Sequence, residues 1–281
     1  LPFKRWLPFA ALVAGTLAPD FHYFMNLEPK SDFSHSIVGA FVFCVPAGLA
    51  LLWIFERWMK LPLISLAPEA HQQRLVRFAQ PFSWGPAKRF LLILCALLIG
   101  IFSHLAWDAF THDGGFFVRN VPDLRAPALE EWGTHRPLFN MLQHGSTLLG
   151  MALLMVWYWL WFRRTSPQPV PPQLKLKAGP RRWVTAVILG SAGSVSLVDA
   201  YVVSDHMAAR AFFAGTFAIL FMSLVFAEVF CFSMWWHWWK SDHRIIGSSG
   251  DHPVPPEPGG LGDPMDGGET QASISDGPMS R

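Results

Sequence analysis

His104, Asp108 and His112 recur at four-residue intervals in the stretch from Ile101 to Gly115, which reads Ile-Phe-Ser-His-Leu-Ala-Trp-Asp-Ala-Phe-Thr-His-Asp-Gly-Gly. On a helix the three share one face, stacked about 6 Å apart per step. Imidazole and carboxylate groups in that pattern can ligate a metal, or hold one another as a hydrogen-bonded Asp-His pair without one. The ladder closes an apolar run that begins at Phe90. Gly114-Gly115 then supplies a stop at which left-handed backbone costs little. Placing Asp108 in an apolar helix costs up to about 2.5–3.5 kcal/mol at a bilayer centre, so the carboxylate is expected to have a partner.

Further donors lie elsewhere in the chain. Asp20 and His22 fall in a Pro-Asp-x-His turn that exposes both side chains, His35 follows in the same polar connection, and His144 opens a later apolar segment. Asp199 lies in another apolar run and is a possible accessory residue, whereas Glu228, deeper in its run, is expected to pair with a polar helix neighbour. His71, His135, His237, His243 and His252 read as hydrogen-bonded residues without a ligand role. Cys44, Cys95 and Cys231 show no metal or redox spacing and read as small hydrophobes. The chain has no phosphate-binding Gly-rich loop, no nucleophile elbow and no basic groove for nucleic acid.

The elements that must carry these residues are membrane spans. Hydrophobic residues make up 52% of the chain and charged residues only 15%, a balance expected of an integral membrane protein. Five apolar segments approach the roughly 20 residues needed to cross a bilayer. They are Ile37 to Phe55, Phe90 to Phe110, Thr147 to Phe162, Val184 to Val203 and Ala211 to Trp236. The third reaches a comfortable length if Pro137 opens its helix. An N-terminal apolar helix, Trp6 to Ala18, precedes them behind Lys4-Arg5, and is read as a retained helix whose beginning is missing rather than a signal peptide. The expected fold is therefore an all-α membrane bundle, residues 1–246, followed by a disordered Gly- and Pro-rich tail, residues 247–281.

Local signals refine the elements. Ser31 or Asp32 is a candidate cap for the first full span, and Pro46 within it predicts a kink. Gly190, Ser191, Gly193, Ser194 and Ser196 form a small-residue surface suited to close helix packing. Pro68 to Ala79 reads as an interfacial helix, and Ser166 to Pro172 as an extended linker.

Charge orients the bundle. Arg57, Lys60, Arg74, Arg77, Lys88 and Arg89 lie between the first two full spans, and Arg163, Arg164, Lys175, Lys177, Arg181 and Arg182 between the third and fourth. The alternate loops hold only Arg119, Arg125 and Arg136, and Arg210. The positive-inside rule then places both basic loops and the C-terminus in the cytoplasm, with Trp residues such as Trp53, Trp58, Trp157 and Trp235 as anchors at that interface. Asp20, His22, His35, His104, Asp108, His112 and His144 all fall toward the opposite ends of their helices, where they can converge. His104 stands 14 residues past Phe90, hence roughly 21 Å along the helix and about 10 Å below the outer surface.

Several of these motifs together resemble one family. Leu1-Pro2-Phe3, the turn from Ala18 to Phe24, Phe33-Ser34-His35-Ser36, Ser103-His104 with Asp108-Ala109-Phe110-Thr111-His112, and Leu142-Gln143-His144-Gly145-Ser146-Thr147 are similar to a bacterial multi-pass membrane family, domain of unknown function 4184. The resemblance covers roughly Leu1 to Phe162 and implies a bacterial inner-membrane protein. Members usually begin with a short segment bearing a further Ser-His, which this chain lacks. The Ser-His-Ser and Ser-His-x-x-x-Asp elements also resemble those of membrane-bound proteins described as metal-dependent hydrolases, and His35, His104 and Asp108 carry that likeness.

Imidazoles mixed with carboxylates favour a transition metal, Zn²⁺ first and Mn²⁺ or Fe as alternatives, and the seven candidate ligands suffice for one or two ions. The expected function is metal-dependent hydrolysis of an amphiphilic, lipid-like phosphoester at the outer leaflet, with membrane lipids as surroundings. The alternative is a non-catalytic membrane protein that uses the same cluster for metal sensing, transport or structure. The orientation is directly testable: a reporter active only outside the cytoplasm should work when fused after Asp123 and fail after Lys175. The reverse pattern would put the His-rich end in the cytoplasm.

Overall fold

The structure, a computed structural model, describes residues 8–26, 33–131, 134–207 and 210–248; at 26, 129–131, 134–135, 203–207, 210–212, 214 and 241–248 it describes the backbone alone. The chain divides into two units, Leu1–Lys240 and Ser241–Arg281, and the elements that position the candidate site belong to the first. The expected tail lies outside the described residues beyond Ser248.

Helix α1 is Phe9–Leu17 and α2 is Phe21–Asn26, with Pro19 and Asp20 in the turn between them. The first residues of the expected N-terminal helix lie outside the described ones. Helix α3 runs from Ile37 to Leu66, longer than its apolar run. Its cap is Ser36, whose hydroxyl accepts the Gly39 N–H at 2.9 Å; the expected caps, Ser31 and Asp32, lie outside the described residues. Two prolines sit inside α3 without ending it. A π turn over Ala40–Cys44, in which the Val45 N–H reaches the Ala40 carbonyl, accommodates Pro46. A second, Phe55–Met59, precedes Pro62. Because Pro62 has no N–H, the Trp58 carbonyl one turn back is left free, and a ring nitrogen of His237 lies 3.1 Å from it. The helix continues through charged residues because they are compensated: Lys60 pairs with Glu56 and donates to the Gln80 carbonyl at 2.8 Å.

A short helix, α4, Glu69–Leu75, falls within the expected interfacial segment. Helix α5, Ala87–Thr111, carries the ladder. It stops without left-handed backbone: His112 is extended, with φ −113° and ψ 143°, and Gly115 has φ −64° and ψ 145°. Gly115 is needed for space instead, since a Cβ there would stand 2.5 Å from the Ala109 carbonyl oxygen as the chain folds back over the helix end. Next come α6, Phe116–Asn120, and an unforeseen antiparallel hairpin of β1, Pro127–Glu131, and β2, Thr134–Pro137, with Glu131 opposite Thr134. Helices α7, Leu138–Arg164, α8, Ala178–Met207, and α9, Arg210–Ser248, complete the chain. Pro137 is the N-cap of α7, and the helix includes His144 as expected. Among the described residues five helices are long and apolar enough to cross a membrane, and the chain is a helical membrane bundle.

Helix α1 packs against both α3 and α5. Ala11 and Ala14 meet Leu52, Ile93 and Ala96, and one turn further Ala18 meets Ala40, Cys44, Leu97 and Ile101. The contact with α5 is backbone to backbone: a Cβ on Gly15 would lie 2.2 Å from the Leu97 carbonyl oxygen, and one on Gly100 2.3 Å from that of Leu12. The close packing expected at Gly190 is not there, since nothing lies within 4 Å of a Cβ at that position. The stripe's Ser191 instead donates to Glu228, at 2.9 and 3.0 Å from its two carboxylate oxygens, the polar neighbour foreseen for that acid.

At the opposite end of the helices from the ladder, the two basic loops pack together. The Gln168 N–H donates to the Gln73 carbonyl at 2.7 Å, Arg74 Nε to the Phe162 carbonyl at 2.8 Å, and Val170 and Leu174 are buried with Ile64 and Trp236. The expected extended linker is thus packed down at Val170, which with Leu174 just beyond it fills a gap between α3 and α9.

Gly100→Ala is expected to cost about 1–3 kcal/mol, as an added methyl must force α1 and α5 apart. Gly190→Ala should be near neutral. Thermal unfolding in detergent checks both, and equal effects would show that the α1–α5 contact is not tight.

Candidate metal centre

The α1–α5 contact sets the separation at which the Asp20 turn meets the outward half of α5. Asp20 Oδ1 lies 3.5 Å from His104 Nε2 and 3.4 Å from His35 Nε2. Asp108 Oδ2, one turn beyond His104, lies 3.0 Å from His104 Nε2 and 3.2 Å from His35 Nε2. One donor atom each from Asp20, His35 and His104 falls within 4.8 Å of the other two. Two donor atoms bound to one ion at about 2.1 Å are roughly 3.0 Å apart at a right angle and roughly 3.4 Å apart at a tetrahedral angle. All four nitrogen–oxygen separations are in or close to that interval.

Such distances also suit ion pairs. His104 Nε2 is buried, with the Asp20 and Asp108 carboxylates both directed at it. The nitrogen and the two oxygens share a focus, an arrangement that ligands around an ion also have. His35 is oriented by its own neighbours. The buried Ser34 hydroxyl donates its proton to the Pro19 carbonyl at 2.8 Å and lies 3.1 Å from His35 Nδ1. With that proton committed, Nδ1–H is the donor to Ser34 Oγ, and Nε2 is turned toward the carboxylates. Tyr23 stacks on the other ring face at 5.5 Å. Burial pushes the Asp20 carboxyl pKa up, but hydrogen bonds and charge from His104 and His35 outweigh it and hold the group below the usual carboxylate range.

The last rung of the ladder takes a different position. With the helix ending at Thr111, half-exposed His112 swings to the second oxygen of Asp108, Nδ1 to Oδ1 3.3 Å, and its Nε2 lies 3.3 Å from Gln143 Nε2. His112 thus orients Asp108 from outside. His22 is edge-on to Phe43 at 5.6 Å, away from the donor group. His144 is exposed on α7, because a step of one residue turns the helix by 100° and presents Gln143 instead. Asp199 lines a separate apolar groove on α8 with Val195 and Val198. His71 pairs with Tyr158 and His237 with Trp58, in keeping with structural roles. The side chains of His135 and His243, and the whole of His252, lie outside what is described. Ser34, Tyr23 and Gln143 were not singled out in the sequence; the Ser-His and Gln-His dipeptides were their available signals.

The fold and this cluster define a multi-pass helical membrane protein with a convergent His/Asp group near one end of its spans. It belongs to the family described as Domain of unknown function (DUF4184), whose model matches residues 1–234 and so includes every residue of the group. No curated protein and no solved structure matches the chain.

Ser34→Ala, which frees the His35 ring, is expected to weaken divalent-ion affinity by roughly 10–100-fold. His144→Ala should leave it unchanged. Titration of the purified protein with Zn²⁺ checks both, and an unaffected Ser34 variant would remove the hydroxyl from the site.

Proposed function

We propose that Asp20, His35, His104 and Asp108 hold a divalent transition metal, Zn²⁺ first among the candidates, and that the protein is a membrane-embedded metal-dependent hydrolase. The single observation that carries this reading is the convergence of one donor atom each from Asp20, His35 and His104 within 4.8 Å of one another, with Asp108 Oδ2 3.0 Å from His104 Nε2. A bound ion would supply a water activated near neutral pH and a counter-charge for an attacked phosphoryl or carbonyl oxygen. The chain's own part is to orient the donors: Ser34 fixes the His35 tautomer and His112 steadies Asp108.

Substrate chemistry follows from the surroundings. Phe33, Ile37 and Val38, close to His35 in sequence, and Phe102 and Trp107, close to His104, are exposed large apolar side chains. A polar head that reaches the donors from that side must bring an apolar body with it, which favours a lipid-like phosphoester. With both basic loops in the cytoplasm, as loop charge argues, the cluster faces the outer leaflet of a bacterial inner membrane and the C-terminus is cytoplasmic. The transport alternative is disfavoured because Glu228, the residue that would extend a path inward, is held by Ser191.

The test is metal content followed by turnover. Purified wild type should contain near-stoichiometric transition metal, lost in His104→Ala and Asp20→Ala while the protein still inserts, and should release phosphate from a lipid phosphoester only when metallated. Metal without turnover on any phosphoester would leave a binding protein; absence of metal in chelator-free preparations would leave a structural Asp-His network.

A further inference from the structure

A shallow groove lies away from the metal centre, between the far ends of α3 and α5. It has a volume of about 520 Å³ and is lined by Leu49, Ala50 and Trp53 of α3, Phe90 of α5, and Trp84 from the loop between them. That volume is within the usual range of ligand clefts. Every lining residue is aliphatic or aromatic, and on a membrane-facing surface the walls suit a hydrocarbon chain. Their continuation is cationic. Arg57 is exposed and stands one turn past Trp53 along α3, its guanidinium 5.3 Å over Trp58. Arg89, which immediately precedes Phe90, is exposed and lies 5.6 Å over Phe82, itself edge-on to Trp84 at 5.2 Å. Arg89 Nε donates to the Ser83 carbonyl at 2.7 Å, an anchor that holds the guanidinium at the groove's mouth. Glu56, next to Arg57 in sequence, is engaged by Lys60 and does not neutralise it.

We infer that this groove is a binding site for an anionic phospholipid, with an acyl chain between α3 and α5 and the headgroup phosphate between Arg57 and Arg89. Arg57, one turn past Trp53, and Arg89, next to Phe90, offer two exposed guanidiniums near the groove for phosphate oxygens, and Trp53 and Trp84 in the lining suit the boundary between chain and headgroup. A zwitterionic lipid fills the apolar part equally but brings a cation to a doubly cationic mouth. The site is separate from the metal centre and does not depend on its chemistry.

The experiment uses the full chain in a neutral detergent, titrated with phosphatidylglycerol or phosphatidylcholine and read by native mass spectrometry. Phosphatidylglycerol should be retained in preference to phosphatidylcholine, and Arg57→Gln with Arg89→Gln should reduce its retention by on the order of 30-fold, at about fivefold per charge. Both residues are exposed, so the unfolding temperature without lipid should be unchanged. Ala50→Trp, which fills the groove, should reduce retention of both lipids. Equal retention of the two lipids by wild type would overturn the proposal. So would an equal loss from Lys175→Gln with Lys177→Gln, which would show diffuse attraction to a basic surface. Competition by inorganic phosphate at the lipid's own affinity would likewise overturn it, since the acyl chain would then contribute nothing.

Discussion

Everything at the candidate metal centre depends on how closely α1 and α5 approach. Two glycines, Gly15 and Gly100, bring each helix onto the other's carbonyl oxygens, and the alanines at 11, 14, 18 and 96 extend the same narrow seam. Between membrane helices there is little hydrophobic drive to associate, so surface fit and short backbone distances hold the pair. Four residues beyond Gly100 along α5 comes His104, and just beyond the end of α1 comes Asp20. A wider seam would part the carboxylate from the imidazole and leave a buried nitrogen with an unfavourable desolvated lone pair.

The cluster also shows how a membrane protein carries several ionisable groups in a small apolar volume. Two carboxylates and two imidazoles alternate, so like groups are separated by unlike ones. Two of the four have a second contact that fixes their direction: Ser34 for His35, His112 for Asp108. Such outer partners are typical of metal sites because they set tautomer and ring orientation before the ion arrives.

Periodicity made the long elements legible. The apolar runs placed all five spans, and the four-residue recurrence placed His104 and Asp108 together, because both properties are local to one helix. What stayed hidden was set between elements. Gly15 and Gly100 are single glycines far apart in sequence, whereas in the conspicuous stripe of α8 Gly190 faces open space, Gly193 would only just meet Phe221, and it is Ser196 that is buried. His112 lost its place in the ladder because the helix ends one residue before it, a difference of a single φ/ψ pair that no spacing rule resolves. Gln143 rather than His144 reached the site through helix phase, which depends on how α7 is rotated against α5. The extension of α3 past Phe55 relied on Lys60 finding both Glu56 and the distant Gln80 carbonyl.

The placement of the donors along the chain has a consequence for biosynthesis. Asp20, His35, His104 and Asp108 all lie in α1, α3 and α5 or the turns beside them, so the last donor leaves the ribosome before α7 is begun. Domains mature from the N-terminus as they are made. The charged cluster can therefore be neutralised, by an ion or by its own pairing, while the nascent chain is still inserting, and the later helices enter the bilayer beside a polar group that is already closed. The order of the helices is in this sense an order of events, with the segment most expensive to expose to lipid completed first.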